Sequence, residues 1–316
     1  MNGVITSQFW GKRLLLMNRL TLGTVQFGLA YGINNIHGKP DLNESLNMLK
    51  YAYDEGITNF DTAYAYGNAE IVLGKFIQKY QLESKITVTT KLKPNILDES
   101  NNICTKLIEK QIIESLTHLN LKSADGYLLH SPKHVFNPEI VKEMKLIKEK
   151  GLCRNIGVSI YEEDEALYAV RLNQIDYIQI PYSVFDQRLD STDFFKLARD
   201  NGKKIFARSA FLQGLVFMHE DRIPHHLIEF RNHLIKFKQI INKYNYTVTE
   251  ACILFSLSNA NINSVVVGVD KIEHLNDLIT IFKKNLHEFE DCKNEIKESF
   301  ININKYLISP SLWKKD

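Results

Sequence analysis

Eight short apolar runs, at residues 20–25, 57–60, 86–90, 127–129, 155–159, 177–180, 204–207 and 263–267, punctuate the chain. Between them lie longer stretches in which apolar residues recur every three or four positions. The runs read as buried strands and the intervening period as amphipathic helix. Helices are expected at 43–55, 68–79, 105–119, 139–150, 162–170, 191–201, 249–258 and beyond 271. In the first of these, Leu46, Leu49 and Tyr53 make the apolar stripe and Met48 lies off it. In the second the stripe is Val72, Leu73, Phe76 and Ile77, and in the third Ile108, Ile112 and Leu116. Gly67 lets the backbone turn after the second strand, and Pro132 and Pro138 punctuate the loop before the fourth helix.

Regular βα alternation specifies a parallel sheet covered by helices, and eight units close it into a (β/α)8 TIM barrel of the α/β class. A single domain accounts for residues 20–316, with residues 1–19 an extension outside the barrel. About fifty residues between the last two strands leave room for an extra helix at 227–244. A further helix at 292–306 is expected to pack outside the barrel.

Polar residues then draw attention at the strand ends. Asp61 and Tyr66 stand in one turn after the second run, Lys91 ends the third, and His130 ends the fourth. A (β/α)8 barrel builds its active site at this face, so the four can converge. Taken singly, each has an ordinary reading: a turn cap, a rim aromatic, a solvated lysine, a core histidine. Four in succession at βα spacing favour one site.

Composition narrows the partners. The 39 basic and 37 acidic residues are mixed along the chain for a net charge of +2, which leaves no electrostatic footprint for nucleic acid or an anionic membrane. No apolar run approaches the ~18 residues of a membrane span. Cys104, Cys153, Cys252 and Cys292 are scattered without metal-finger or C-x-x-C spacing, which points to free thiols and a cytoplasmic setting. His130 and His134 are separated by Pro132, and no ligand spacing for a metal is found. Neither a Walker phosphate loop nor a Rossmann glycine fingerprint is present.

The motifs Asp-Thr-Ala-x-x-Tyr-Gly at 61–67, the strand-end Lys91 and Leu-Leu-His-Ser-Pro around His130 resemble those of the aldo-keto reductases. The resemblance covers about residues 20–286. It implies hydride transfer between a nicotinamide cofactor and an aldehyde or ketone, with Tyr66 as general acid/base. Lys91 would lower the phenol's pKa, Asp61 would hold Lys91 charged, and His130 would orient the carbonyl. It further implies that Ser159 and Gln179 bind the carboxamide and that Ser209 and Gly214 cover the pyrophosphate. Gly23, Thr24, Arg208, Gly268 and Lys271 complete the cofactor set.

Three departures from the family pattern matter. Ile160 stands where Asn usually follows the serine of the fifth strand, and Arg208 stands where an aromatic often stacks on the nicotinamide. Gly268 and His274 stand where a Lys and an Arg usually hold a 2′-phosphate, leaving Lys271 as the cation for NADP(H). Asp270 could instead accept from a ribose hydroxyl, which would suit NAD(H). Phe27, Tyr31, Tyr64, Tyr182, Phe185 and Phe217 are expected to form an aromatic wall for a sugar-like carbonyl or alcohol substrate. The rival readings are a cofactor-binding regulatory subunit and a lyase forming a Schiff base on Lys91. No oligomeric state is legible.

Overall fold

The computed structural model describes residues 17–98, 105–282, 284 and 286–313. Eight strands form a closed parallel barrel in sequence order: β1 Leu20–Gly23, β2 Asn59–Asp61, β3 Thr87–Lys91, β4 Ala124–Leu129, β5 Cys153–Ser159, β6 Tyr177–Pro181, β7 Lys204–Arg208 and β8 Ser264–Gly268. Closure is made by β1 on β8, with Gly23 opposite Gly268. The expected (β/α)8 architecture is therefore the one observed. Among the described residues no helix is long and apolar enough to cross a membrane.

Most helices bury one stripe, whereas helix Val248–Ser258 is buried all round from Ala251 to Leu257. Helix Ala69–Tyr80 buries Val72, Leu73, Phe76 and Ile77, and helix Thr105–Leu119 buries Ile108, Ile112 and Leu116, both as expected. Helix Leu42–Asp54 differs, because its buried face is Ser45, Met48, Leu49 and Ala52. Side-chain size alone would put Leu46 and Tyr53 on that face. In a close-packed interface the small Ser45 and Ala52 let the helix approach, which brings Met48 inside. Asp41 starts this helix with a capping box, its carboxylate accepting from Glu44 N while Glu44 accepts from Asp41 N.

Other boundaries also move. β1 stops at Gly23, and Val25–Gly28 forms a helical turn where strand was expected to continue. The helix expected at 191–201 begins at Phe194, after a 3-10 turn at Arg188–Ser191. The tail helix expected at 292–306 is two pieces, Glu290–Phe300 and Lys305–Ile308, because Asn304 caps the second by accepting from Tyr306 N at 3.0 Å. At the start of the chain, Met17 is buried in the core and Arg19 Nη2 donates to the carbonyls of Asn259 and Ile262 at 3.2 and 2.9 Å. Residues 17–19 thus pack with the barrel, ahead of the boundary drawn at residue 20. The rest of the expected extension, 1–16, lies outside the described residues.

Candidate active site

The carboxyl ends of the strands open into a cavity of about 900 Å³, within the range of dinucleotide- and drug-sized sites. Beneath its floor lies an ionic pair, of which Asp61 reaches the lining. Asp61 at the end of β2 is 4% exposed and Lys91 at the end of β3 is fully buried, with Lys91 Nζ donating to Asp61 Oδ1 at 2.6 Å and to Thr62 O at 2.9 Å. The second carboxylate oxygen accepts from Gln179 Nε2 at 2.8 Å. Gln179 Oε1 in turn accepts from Ser159 Oγ at 3.3 Å, so β5, β6, β2 and β3 are tied by one buried chain of hydrogen bonds. Thr24 joins β1 to it, its backbone N and its Oγ1 donating to Asp61 O at 2.9 and 3.1 Å. A charge pair this dry persists because both carboxylate oxygens are bonded and two of the three ammonium protons have acceptors.

Tyr66 reaches the floor from the turn after β2. Two glycines set that turn: Gly67 adopts a left-handed φ of 58°, and a Cβ on Gly28 would stand 1.7 Å from Tyr66 O. The helical turn at Val25–Gly28 therefore packs directly on the Tyr66 peptide. The Tyr66 ring lies with Lys91 Nζ 5.1 Å from its centroid and meets His130 edge-on, centroids 5.8 Å apart. Sequence-expected Asp61, Tyr66, Lys91 and His130 are thus brought together.

The electrostatics differ from the expectation in one respect. Burial, reinforced by Asp61, pushes the Tyr66 phenol above its ordinary range, and Arg208 is the cation that opposes this. Lowering by Lys91 was expected. The physical reason for the difference is that Asp61 neutralises Lys91 at 2.6 Å, so the pair offers the phenol little net positive field while desolvation acts in full. Burial also lowers Lys91, against Asp61, which holds its proton. Burial, then Lys91 and Arg208, brings His130 down to about 3. His130 is therefore a neutral imidazole at ordinary pH, and its Nδ1 is buried without a hydrogen-bond partner among the described residues.

All nine residues expected to hold a cofactor line the cavity: Gly23, Thr24, Ser159, Gln179, Arg208, Ser209, Gly214, Gly268 and Lys271. Lys271 is the exposed N-cap of helix Ile272–Ile281, whose free N–H groups add to its positive potential. Nearby, His274 Nδ1 and Asp270 Oδ1 are 2.7 Å apart. Buried Gln26 Oε1 lacks a partner beside Gly268, and a Cβ on Gly268 would stand 2.1 Å from that oxygen. Lys271 with a helix N-terminus at one end, beside Asp270 and Asp277, together with unpartnered polar atoms and a glycine-lined wall, suits an elongated dinucleotide.

The expected aromatic wall needs correction. Tyr31 and Phe217 line the cavity, but Phe27, Tyr64, Tyr182 and Phe185 do not. Phe185 is buried against Phe230, Phe237 and Phe300, and Tyr182 between Phe195 and Phe255. Tyr64 turns outward and donates to Glu114 Oε1 at 2.9 Å. Their hydrophobic surface is worth more in the core than at the mouth. The sequence reading missed Tyr161, Phe211 and Gln213, which also line the cavity. Tyr161 follows Ile160, which turns into the core at 1% exposure, so the residue at the cavity is one place later than the family's Asn. Strand alternation past Ser159 was the signal that could have found it.

A closed parallel barrel with a tyrosine, a histidine and a buried lysine–carboxylate pair at its carboxyl face is the architecture of a nicotinamide-dependent oxidoreductase class. This chain belongs to the aldo/keto reductase family, whose sequence profile matches residues 19–294. It is 28% identical to the aldo-keto reductase YhdN of Bacillus subtilis (strain 168) over 207 residues, covering 63% of this chain and 60% of that one. It is 26% identical over 282 residues to a D-threo-aldose 1-dehydrogenase of Pseudomonas sp, covering 76% and 84%. Among solved structures, an aldo-keto reductase from Bacillus halodurans in its holo form superimposes with a TM-score of 0.72 at 17% identity, covering 89% of this chain and 92% of that one.

Proposed function

We propose that this protein reduces an aldehyde or ketone, with a sugar-derived carbonyl the best-supported class, using NADP(H) in preference to NAD(H). The observation that carries the reading is Tyr66 and His130 set edge-on at 5.8 Å over the buried Lys91–Asp61 pair, on the floor of the 900 Å³ cavity. A bound nicotinamide supplies the hydride. Its carboxamide would be held by Ser159 and Gln179, its pyrophosphate by Ser209 and Gly214, and a 2′-phosphate by Lys271.

Each protein group has a task. Neutral His130 donates one N–H to the carbonyl oxygen and orients it. Tyr66, protonated throughout the neutral range, gives its phenolic proton to the same oxygen as negative charge develops there. Lys91 and Asp61 fix the floor against which the Tyr66 ring lies. The burial of Tyr66 and His130 strengthens both hydrogen bonds relative to water.

The sugar-like substrate is supported by the mixed lining of Tyr31, Tyr161, Phe211 and Phe217 with Asn34, Asn35 and Gln213, rings for stacking and amides for hydroxyls. The relative named for D-threo-aldose oxidation makes the same suggestion. A panel of aldoses, ketoses, hydroxyaldehydes and simple aromatic aldehydes, followed by loss of reduced-nicotinamide absorbance, tests this. Turnover of sugar-derived carbonyls ahead of the aromatic aldehydes is expected. Binding of cofactor without turnover on any member would favour the regulatory-subunit reading.

A further inference from the structure

Arg208 ends β7 in the cavity wall, half-buried, and forms no ion pair with a carboxylate among the described residues. Its donors are engaged within the guanidinium plane. Nε donates to Ser159 Oγ at 3.3 Å, Nη1 to Ser209 Oγ at 3.1 Å and Nη2 to Ile160 O at 2.7 Å. One face lies on Tyr161, the central carbon 4.6 Å from the ring centroid. Ser209 makes its contact from a left-handed φ of 65°, a conformation that costs a non-glycine residue and persists where surrounding structure imposes it.

This geometry limits what Arg208 can take. Three of the five in-plane N–H groups, one on each nitrogen, are occupied, which fixes the guanidinium plane against Tyr161. The face away from Tyr161 is left to the cavity that Arg208 lines, and a guanidinium face takes a flat π-system. The charge acts at the catalytic end, since Tyr66, Tyr31, Lys91 and His130 all feel it. The carboxylate lining that end, Asp61, is already held by Lys91 and Gln179.

Resting on the reading of this cavity as a nicotinamide site, we propose that Arg208 is a cationic shelf for the nicotinamide ring that makes the protein select the reduced over the oxidised cofactor. The oxidised ring carries a positive charge and the dihydro ring is neutral. A half-buried guanidinium with no carboxylate partner among the described residues repels the first at short range and stacks on the second. Where family members place a neutral aromatic, this chain places a charge, and the bias it creates favours reduction: the reduced form is retained and the oxidised form is expelled after turnover.

Equilibrium fluorescence titration of reduced and oxidised forms of the same dinucleotide tests this on the wild-type protein, Arg208→Gln and Arg208→Lys. The wild type should bind the reduced form at least tenfold more tightly, which corresponds to about 30 mV for a two-electron couple. Arg208→Gln should lower that ratio at least fivefold, chiefly by binding the oxidised form better, an improvement that a merely structural role cannot produce. Arg208→Lys, which keeps the charge and loses the flat face, should weaken both forms and keep most of the ratio. Equal affinities in the wild type, an unchanged ratio in Arg208→Gln, or equal weakening of both forms in that variant overturns the proposal. A wild type that binds neither form removes the nicotinamide reading itself, and the shelf with it.

Discussion

Replacing Gly28 with alanine would test how Tyr66 is held in place. The added Cβ would stand 1.7 Å from Tyr66 O, 2.7 Å from Ala69 N and 2.9 Å from Tyr66 C. All three are backbone atoms, so no rotamer relieves the clash. Ordinary contact begins at 3.4 Å, and the turn at Val25–Gly28 and the Tyr66 peptide must therefore part by roughly 1.7 Å, the difference of the two distances. Overpacking of this kind costs about 1–3 kcal/mol of stability. The larger effect is on chemistry, because a misplacement of about 1 Å at a reacting group can cost ~10²-fold in rate. Gly28→Ala should accordingly fold, keep most of its cofactor affinity and lose about 10²-fold in single-turnover rate, read by rapid-mixing absorbance. Gly56→Ala is the control: its φ is +95° and nothing lies within 4 Å of the added Cβ, so it should lose stability and keep its rate. A folded Gly28→Ala protein turning over at the wild-type rate would refute the claim that this contact positions Tyr66.

Three further outcomes follow from the same geometry. Asp61→Asn strands the fully buried Lys91 ammonium and should lower unfolding free energy by about 3–5 kcal/mol in urea titrations, whereas Asp61→Leu with Lys91→Met should recover much of that stability and remain inactive. Burial holds His130 down at about 3, below its unfolded value of about 6.5, so between those pH values the unfolded chain takes up a proton that the folded chain refuses. Stability should fall on acidification through that window by up to ~1.4 kcal/mol per pH unit, and His130→Asn should flatten the dependence of the urea midpoint on pH. Lys271→Ala should weaken NADPH and leave NADH nearly unchanged in fluorescence titrations; equal losses for both would detach Lys271 from the 2′-phosphate.

The barrel was legible because its signal is periodic. Eight buried runs and the helical stripes between them can be counted, and the strand ends they define carry Asp61, Lys91 and His130 to one face. What escaped was set by packing and by irregular backbone. Met48 faces inward because Ser45 and Ala52 are small, a packing choice that hydrophobicity alone does not express. Phe185 and Tyr182 went to core clusters with aromatics up to 115 positions away, as in Phe185–Phe300. Phe211 and Gln213 follow β7 in an irregular segment, where no period exists to read, whereas Tyr161 continues the alternation of β5 beyond its end. The direction of the Tyr66 shift was missed because the strand pattern shows which groups meet but not how deeply the phenol is buried beside them, and burial is what dominates.

The central claim is that Tyr66 is the proton donor of a nicotinamide-dependent carbonyl reduction, and Tyr66→Phe tests it most directly. The substitution keeps the ring that packs against His130 and Lys91 and removes one oxygen. Measured side by side with the wild type on the best carbonyl of the panel, it should bind the reduced cofactor normally while its turnover falls by ~10²- to 10⁴-fold. Wild-type turnover in Tyr66→Phe would contradict the account.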